Sequence, residues 1–277
     1  MQTVVQRNSR GSLIGRHTVL LAFVLLLCAS AAFSHWNRIE TAPIQRAAGE
    51  QGALRLMTYN IRHGEGMDNQ VHLSAIRTQI EQGNADFIAL QEVDRYQWRT
   101  GLQDQAANLA KALRMNYTFA PAFRRGFSEY GIALISRFPI DNVRVYPLPG
   151  GKGQEPRTVL TAQIKLEERI VTIVTTHLGV ARSERELQMP ALVDILKSIG
   201  TPLIVMGDFN MPDSDNLMSD LHKLLYKIPL QLPQATVVNG GEIDHIFTSF
   251  AHESPAWLQY EQSSDHLPVL CQIKVLQ

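Results

Sequence analysis

The chain has 277 residues, enough for one large domain with a sizeable core. Basic and acidic residues balance at 26 each, which argues against a dedicated polyanion-binding surface but leaves phosphate chemistry open, because a bound cation can supply the charge a phosphate needs. The two cysteines, Cys28 and Cys271, stand in no metal-ligand spacing and imply no structural zinc.

Residues 1–35 have the layout of an export signal or signal anchor. Arg7, Arg10 and Arg16 precede an apolar run from Val19 to Leu27, and Ala29-Ser30-Ala31 offers a small-residue cleavage pattern. The apolar stretch 18–33 is shorter than the roughly 20 residues that span a bilayer comfortably, which favours cleavage; uncleaved, it would tie the chain to a membrane. On either reading the rest of the chain is expected outside the cytoplasm, either periplasmic or extracellular, or anchored to the outer face of the cytoplasmic membrane. Residues 36–53 are polar and alanine-rich without an apolar period and read as a tether to a domain at 54–277.

Within that domain residues 54–59 read as a strand. Leu73, Ile76 and Ile80 then recur at helical spacing until Gly83-Asn84 ends the pattern. Residues 86–90 form a second buried strand ending at Gln91-Glu92, and Asp104 is placed to cap a helix carrying Leu109 and Leu113. Strands follow at 117–119 and 131–136, and 157–166 with 169–176 form a hairpin about Glu167-Glu168. A helix at 183–198 contains Pro190, which predicts a kink or a split. Strands at 203–206, 246–249 and 267–275 complete the set. Strands mixed with helices and a tight hairpin predict an α/β domain with mixed rather than purely parallel pairing; periodicity leaves open whether there is one sheet or two.

Polar residues collect where these strands end. The run Leu203-Ile204-Val205-Met206 stops at Gly207-Asp208-Phe209-Asn210, Asn60 follows Met57-Thr58-Tyr59, Glu92 follows Leu90-Gln91, and His177 follows Thr175-Thr176. Asp244-His245 and Ser264-Asp265-His266 stand just before apolar runs. One such cluster is explained by turn formation; repeated along the chain, the pattern reads as a site built on rigid supports. Carboxylates with asparagine and no thiolate suit a hard cation, magnesium or manganese above zinc.

Taken in order, Thr58-Tyr59-Asn60-Ile61, Gln91-Glu92, Thr176-His177-Leu178, Gly207-Asp208-Phe209-Asn210, Ile243-Asp244-His245-Ile246 and Ser264-Asp265-His266-Leu267-Pro268 resemble the motifs of the endonuclease/exonuclease/phosphatase superfamily, over residues 54 to about 275. The resemblance implies a four-layer α/β sandwich, two packed mixed β-sheets flanked by helices, and phosphoester hydrolysis with Mg2+ (or Mn2+). Carried over by position, it makes Glu92 the chief metal carboxylate, with Asn60 beside it and Asp265 a further ligand. Asp208 would orient or deprotonate the attacking water, and Asn210 and His177 would donate hydrogen bonds to phosphate oxygens. Asp244 would pair with His266, as base or as cationic phosphate clamp. Arg157, after Glu155-Pro156, is either a phosphate contact or half of a structural ion pair. His63 and Glu65 lie just past Asn60 as candidate pocket residues, and Ile132 stands where many relatives carry asparagine.

The wording around Asn60 and Glu92 is similar to bacterial metal-dependent hydrolases of this superfamily, some of which resemble the hydrolase-like part of proteins linked to GPI-lipid remodelling. The expected substrate is therefore a membrane-lipid headgroup or another small phosphoester. A secreted nuclease is the alternative, less favoured because Arg95, Arg99, Arg124, Arg125 and Arg137 are scattered and form no basic run. Trp98, Phe123 and Phe127 lie among them, as contacts for bases or acyl chains or as core. The intact polar set disfavours a catalytically dead binding fold, and the sequence leaves the oligomeric state open.

Overall fold

Strands with apolar residues on both faces require cover on both, and the chain meets this requirement by stacking two sheets and placing helices outside. The computed structural model describes residues 53–151, 153–250, 254–260 and 263–274. The expected export segment, and the tether except for its last residue, lie outside the described residues. Among the described residues no helix is long and apolar enough to cross a membrane.

The first half of the domain comprises β1 (Ala53–Asn60), α1 (Leu73–Gly83), β2 (Phe87–Arg95), α2 (Gln105–Leu113), β3 (Asn116–Arg125) and β4 (Ser128–Ser136). There follow β5 (Asp141–Pro147), β6 (Thr158–Leu166), β7 (Arg169–His177), α3 (Arg182–Lys197), β8 (Leu203–Asp208), α4 (Ser219–His222), β9 (Tyr226–Lys227), β10 (Asp244–Thr248), β11 (Trp257–Leu258) and β12 (Val269–Lys274). One six-stranded sheet runs β11-β12-β1-β2-β4-β3 and the other β5-β6-β7-β8-β10-β9. Each is mixed and holds one parallel pair, β1 with β2 and β7 with β8. Parallel neighbours need a crossover, and α1 and α3 provide the two.

The period of two along each strand divides the apolar residues between layers. In β7, Ile173 joins the cluster between the sheets, with Leu56, Phe87, Ile132, Leu134 and Ile204. Its neighbour Val174 faces the opposite way and packs with Met189, Leu192 and Leu196 of α3. This is the four-layer sandwich expected. Asp104 caps α2, its Oδ1 accepting from the Ala107 N–H at 3.0 Å, and Asn84 closes α1 at φ 46°.

Two expectations are corrected. The helix containing Pro190 is not split: α3 is one helix of 16 residues. Pro190 lies on its exposed side, where the carbonyl it leaves unbonded can face water. Three additional strands, β5, β9 and β11, lie at sheet edges.

Candidate active site

Strand register lines up the polar residues of the second sheet. His177 is the partner of Asp208 across the parallel β7–β8 pair, and Asp208 is the partner of Asp244 across β8–β10. Three functional positions therefore stand side by side at neighbouring strand ends. The backbones are close here: a Cβ on Gly207 would sit 2.2 Å from the Thr176 carbonyl oxygen, so only glycine can precede Asp208.

The first sheet presents Glu92 by an irregularity. The β2–β4 register shifts between Leu90 and Val93, and Glu92 lies in the left-handed region at φ 58°. The β-bulge lets adjacent residues take different directions. Gln91 turns inward, donating through Nε2 to Thr58 Oγ1 at 3.2 Å and to Thr175 Oγ1 at 3.3 Å, which ties the two sheets. Glu92 faces the cavity. Gly131 of β4 lies beside the bulge, where a Cβ would meet the Ala120 carbonyl oxygen at 2.0 Å.

Asn60, at the end of β1, joins the halves. Its Nδ2 donates to Glu92 Oε1 at 3.1 Å and to Asp208 Oδ2 at 3.0 Å. The loop before β12 is fastened to it through Ser264 Oγ, which donates to the Asn60 carbonyl at 2.8 Å. That loop carries His266 to within 3.8 Å of Asp208 Oδ2.

Asp208 is 1% exposed. Its Oδ1 accepts the Asn210 N–H at 2.8 Å, and its Oδ2 lies 3.4 Å from His177 Nε2. Burial, reinforced by the charge of Asp244, raises its pKa to about 7 against the pull of His266, Asn60 and the Asn210 N–H. Asn210 adopts φ 52°, tolerable for asparagine, and its Nδ2 donates to the Leu178 carbonyl at 2.9 Å.

The two histidines differ sharply. His266 Nδ1 donates to Asp244 Oδ2 at 2.8 Å, and that oxygen also accepts from Thr236 Oγ1 at 2.6 Å. Burial alone would lower the pKa of His266, but Asp244, then Asp208 and Asp265, overcome it and hold the ring protonated to about pH 10. His177 is driven the other way, well below the ordinary histidine value, by complete burial and by the neighbouring Arg157 and His266.

A cavity of about 670 Å³ collects Glu92, Arg157, His177, Asp208, Asn210 and His266, walled by Gln97, Arg99, Phe123, Arg125, Tyr130, Glu155 and Val180. Asn60 and Asp244 are buried behind it. Asp265 stands to one side, 3.8 Å from Arg62 Nε. Arg157 is ion-paired to Glu155 at 2.7 Å, as one of its two expected roles requires, and its side chain also lines the cavity.

His63 and Glu65 pair with each other at 3.3 Å and do not line the cavity. Ile132 packs between the sheets. It is Tyr130 that faces the cavity, its ring 5.2 Å from that of Phe123. Sequence reasoning missed Glu155 as a wall residue and Thr236 as a partner of Asp244. Glu155 was signalled by its closeness to Arg157, whereas Thr236 sits in a loop whose sequence carries no such mark.

Two groups offer metal-ligand chemistry. Atoms of Asp208, Asp244 and His266 lie within 4.8 Å of one another, close enough to share an ion. With His266 protonated and bonded to Asp244, however, that trio stores a proton at neutral pH. Glu92 with Asn60 provides hard donors at the cavity, which fit magnesium or manganese. The Asn60 Oδ1 accepts the Arg62 N–H at 3.1 Å, so ligation through that oxygen requires the amide to turn.

Comparison with known proteins agrees with this geometry. A model of the Endonuclease/Exonuclease/phosphatase family matches residues 57–266. Protein cwh43 of Schizosaccharomyces pombe is 29% identical over 146 residues, which is 51% of this chain but only 15% of that protein's length. Among solved structures, an endonuclease/exonuclease/phosphatase from Beutenbergia cavernae superposes with a TM-score of 0.67 at 20% identity, covering 80% of this chain and 71% of that one. A mannosyl-6-phosphatase of Bacteroides thetaiotaomicron gives 0.61 at 18% identity, with 78% and 98% covered. These likenesses establish the fold, and the family comprises divalent-metal-dependent hydrolases of phosphoesters. On the family match, which spans most of its length, the chain belongs to the endonuclease/exonuclease/phosphatase family.

Proposed function

We propose that this member is a Mg2+- or Mn2+-dependent phosphodiesterase or phosphatase acting on a lipid headgroup or another small phosphoester outside the cytoplasm. The observation that carries the reading is the convergence of Glu92, His177, Asp208, Asn210 and His266 on one cavity of about 670 Å³, a volume that admits a headgroup-sized ligand. On the side of the cavity near Glu92, Arg99 pairs with Asp94 at 2.7 Å, Arg124 with Glu129 at 2.7 Å and Arg95 with Asp104 at 3.0 Å, while Arg125 also lines the cavity; the paired arginines weaken the case for a phosphate-backbone track. The location rests on the sequence of residues 1–35.

Glu92 would hold the ion, with Asn60 and Asp265 as the further candidate ligands. An ion held there would supply Lewis-acid stabilisation of the charge that builds on the phosphate and its leaving group. Asp208, whose pKa burial and the charge of Asp244 hold above the ordinary carboxylate range, orients the attacking water and accepts its proton. His266 enters as an imidazolium, so it serves as a cationic clamp on the phosphate and not as the base. Asn210 and His177 donate hydrogen bonds to the phosphate oxygens.

Purified protein should hydrolyse bis-p-nitrophenyl phosphate with Mg2+ and stop in excess EDTA. Asp208→Asn keeps the shape but cannot take the proton, and should lower turnover by roughly 10²–10⁴-fold. A panel of phosphatidylinositol, sphingomyelin, inositol phosphates, plasmid DNA and RNA tests the substrate class. Faster cleavage of either nucleic acid than of every small phosphoester would overturn the headgroup reading, and full turnover in EDTA would overturn the metal requirement.

A further inference from the structure

Both ring nitrogens of His177 are committed. Nδ1 lies 2.9 Å from Nη1 of Arg157 in a buried contact, and Nε2 lies 3.4 Å from Oδ2 of Asp208. A guanidinium has only N–H donors, has no acceptor, and keeps its proton in proteins. Nδ1 must therefore be the acceptor. The single ring proton then sits on Nε2, the nitrogen 3.4 Å from Asp208 Oδ2.

Arg157 is itself held in place. It is 7% exposed, immediately precedes β6 beside the end of β7, and its Nη1 is also 2.7 Å from Glu155 Oε1. Protonating His177 on Nδ1 would oppose two donors and two cations at 2.9 Å in a buried position, a heavy cost in a low dielectric. At His266 the corresponding Nδ1 faces a carboxylate, Asp244. The same ring atom meets opposite charges at the two histidines of one cavity.

We propose that Arg157 is a positioning residue that locks His177 as the neutral Nε2–H tautomer, turning its one N–H toward the cavity beside Asp208 as a hydrogen-bond donor for an incoming phosphate oxygen and barring it from supplying the leaving-group proton. The tautomer stands on the ligand-free geometry; the role toward phosphate rests on the proposed phosphoester hydrolysis. Complete burial and the charges of Arg157 and His266 act in the same direction, against a protonated His177.

The test is a two-bond 1H–15N spectrum of histidine-labelled, metal-free protein at neutral pH, with His177 assigned by its loss in His177→Gln. The expected pattern is a proton-bearing Nε2 and an acceptor-type Nδ1. Arg157→Met, of similar length without a donor, should mix or invert the tautomer. Arg157→Lys, which restores a donor, should return the wild-type pattern. With bis-p-nitrophenyl phosphate, kcat should fall about 10–100-fold in Arg157→Met, the usual scale for losing a group that orients a site residue, and recover in Arg157→Lys. A wild-type His177 that is protonated on Nδ1, or an unchanged His177 pattern in folded Arg157→Met, would overturn the proposal. If Arg157→Met does not fold, the wild-type spectrum alone decides whether Nδ1 is an acceptor. The expected spectra without turnover on any phosphoester would leave the tautomer standing and defeat the functional reading.

Discussion

Asp208 and His266 show how one buried group sets the charge of another. Asp208 cannot shed its charge cost by exposure, so it gathers donors from Asn60 and Asn210, while Asp244 maintains a cation at His266. Stability should carry the mark of that cation. The folded pKa of His266, about 10, lies above its ordinary 6.5, so its contribution is full below about pH 6.5 and is lost as pH rises toward 10. The shift at Asp208, from 3.8 up to about 7, acts in a lower window, and the depressed His177 has the opposite sign and acts only below its ordinary value. Urea midpoints of the metal-free protein should therefore fall between pH 6.5 and 9, and, with Asp208→Asn removing the neighbouring carboxyl from both proteins, His266→Gln should flatten that fall. An equal slope in both proteins would show that His266 is not held as a cation.

At the scale of elements, the strand ends do the positioning, and this is the part of the site most legible in the sequence. An apolar run stopping at a polar residue marks a strand mouth whatever the partner strand is, and Asn60, Glu92, His177 and Asp208 were readable on that ground. Local chemistry also announced the caps at Asn84 and Asp104. Edge strand β5 was not readable, because its residues are largely exposed and carry no buried alternation. The bulge that turns Glu92 toward the cavity depends on β4, and the meeting of Thr236 with Asp244 depends on tertiary closure, so neither is written in a local pattern. The role of Gly207 emerged only from the distance between β7 and β8. Gly207→Ala would drive a methyl into the Thr176 carbonyl, and prying the strands apart moves His177 and Asp208 relative to each other. The expected result is a loss of about 1–3 kcal/mol of stability, as for overpacking elsewhere, with a fall in turnover larger than the fraction unfolded explains. Denaturant curves beside kcat measure both.

At the scale of the whole molecule, neither sheet holds a site alone. Asn60, Glu92 and the loop carrying His266 come from the first sheet, and His177, Asp208 and Asp244 from the second. The Asn60 amide crosses between them. In Asn60→Ala, Asp208 keeps its burial and its repulsion from Asp244 but loses a hydrogen bond that favours its ionised form. Its pKa must then rise above the wild-type value of about 7, and a reaction that needs the ionised carboxylate must move with it. The acidic limb of kcat/KM should lie higher in Asn60→Ala than in wild type, so that raising the pH restores part of the lost rate. Leaving a buried carboxylate one donor short should also cost about 1–3 kcal/mol of stability in the metal-free protein. If the rate fell equally at every pH, Asn60 would act on the metal or the phosphate alone, and the inter-sheet hydrogen bond would have no part in setting the charge of Asp208.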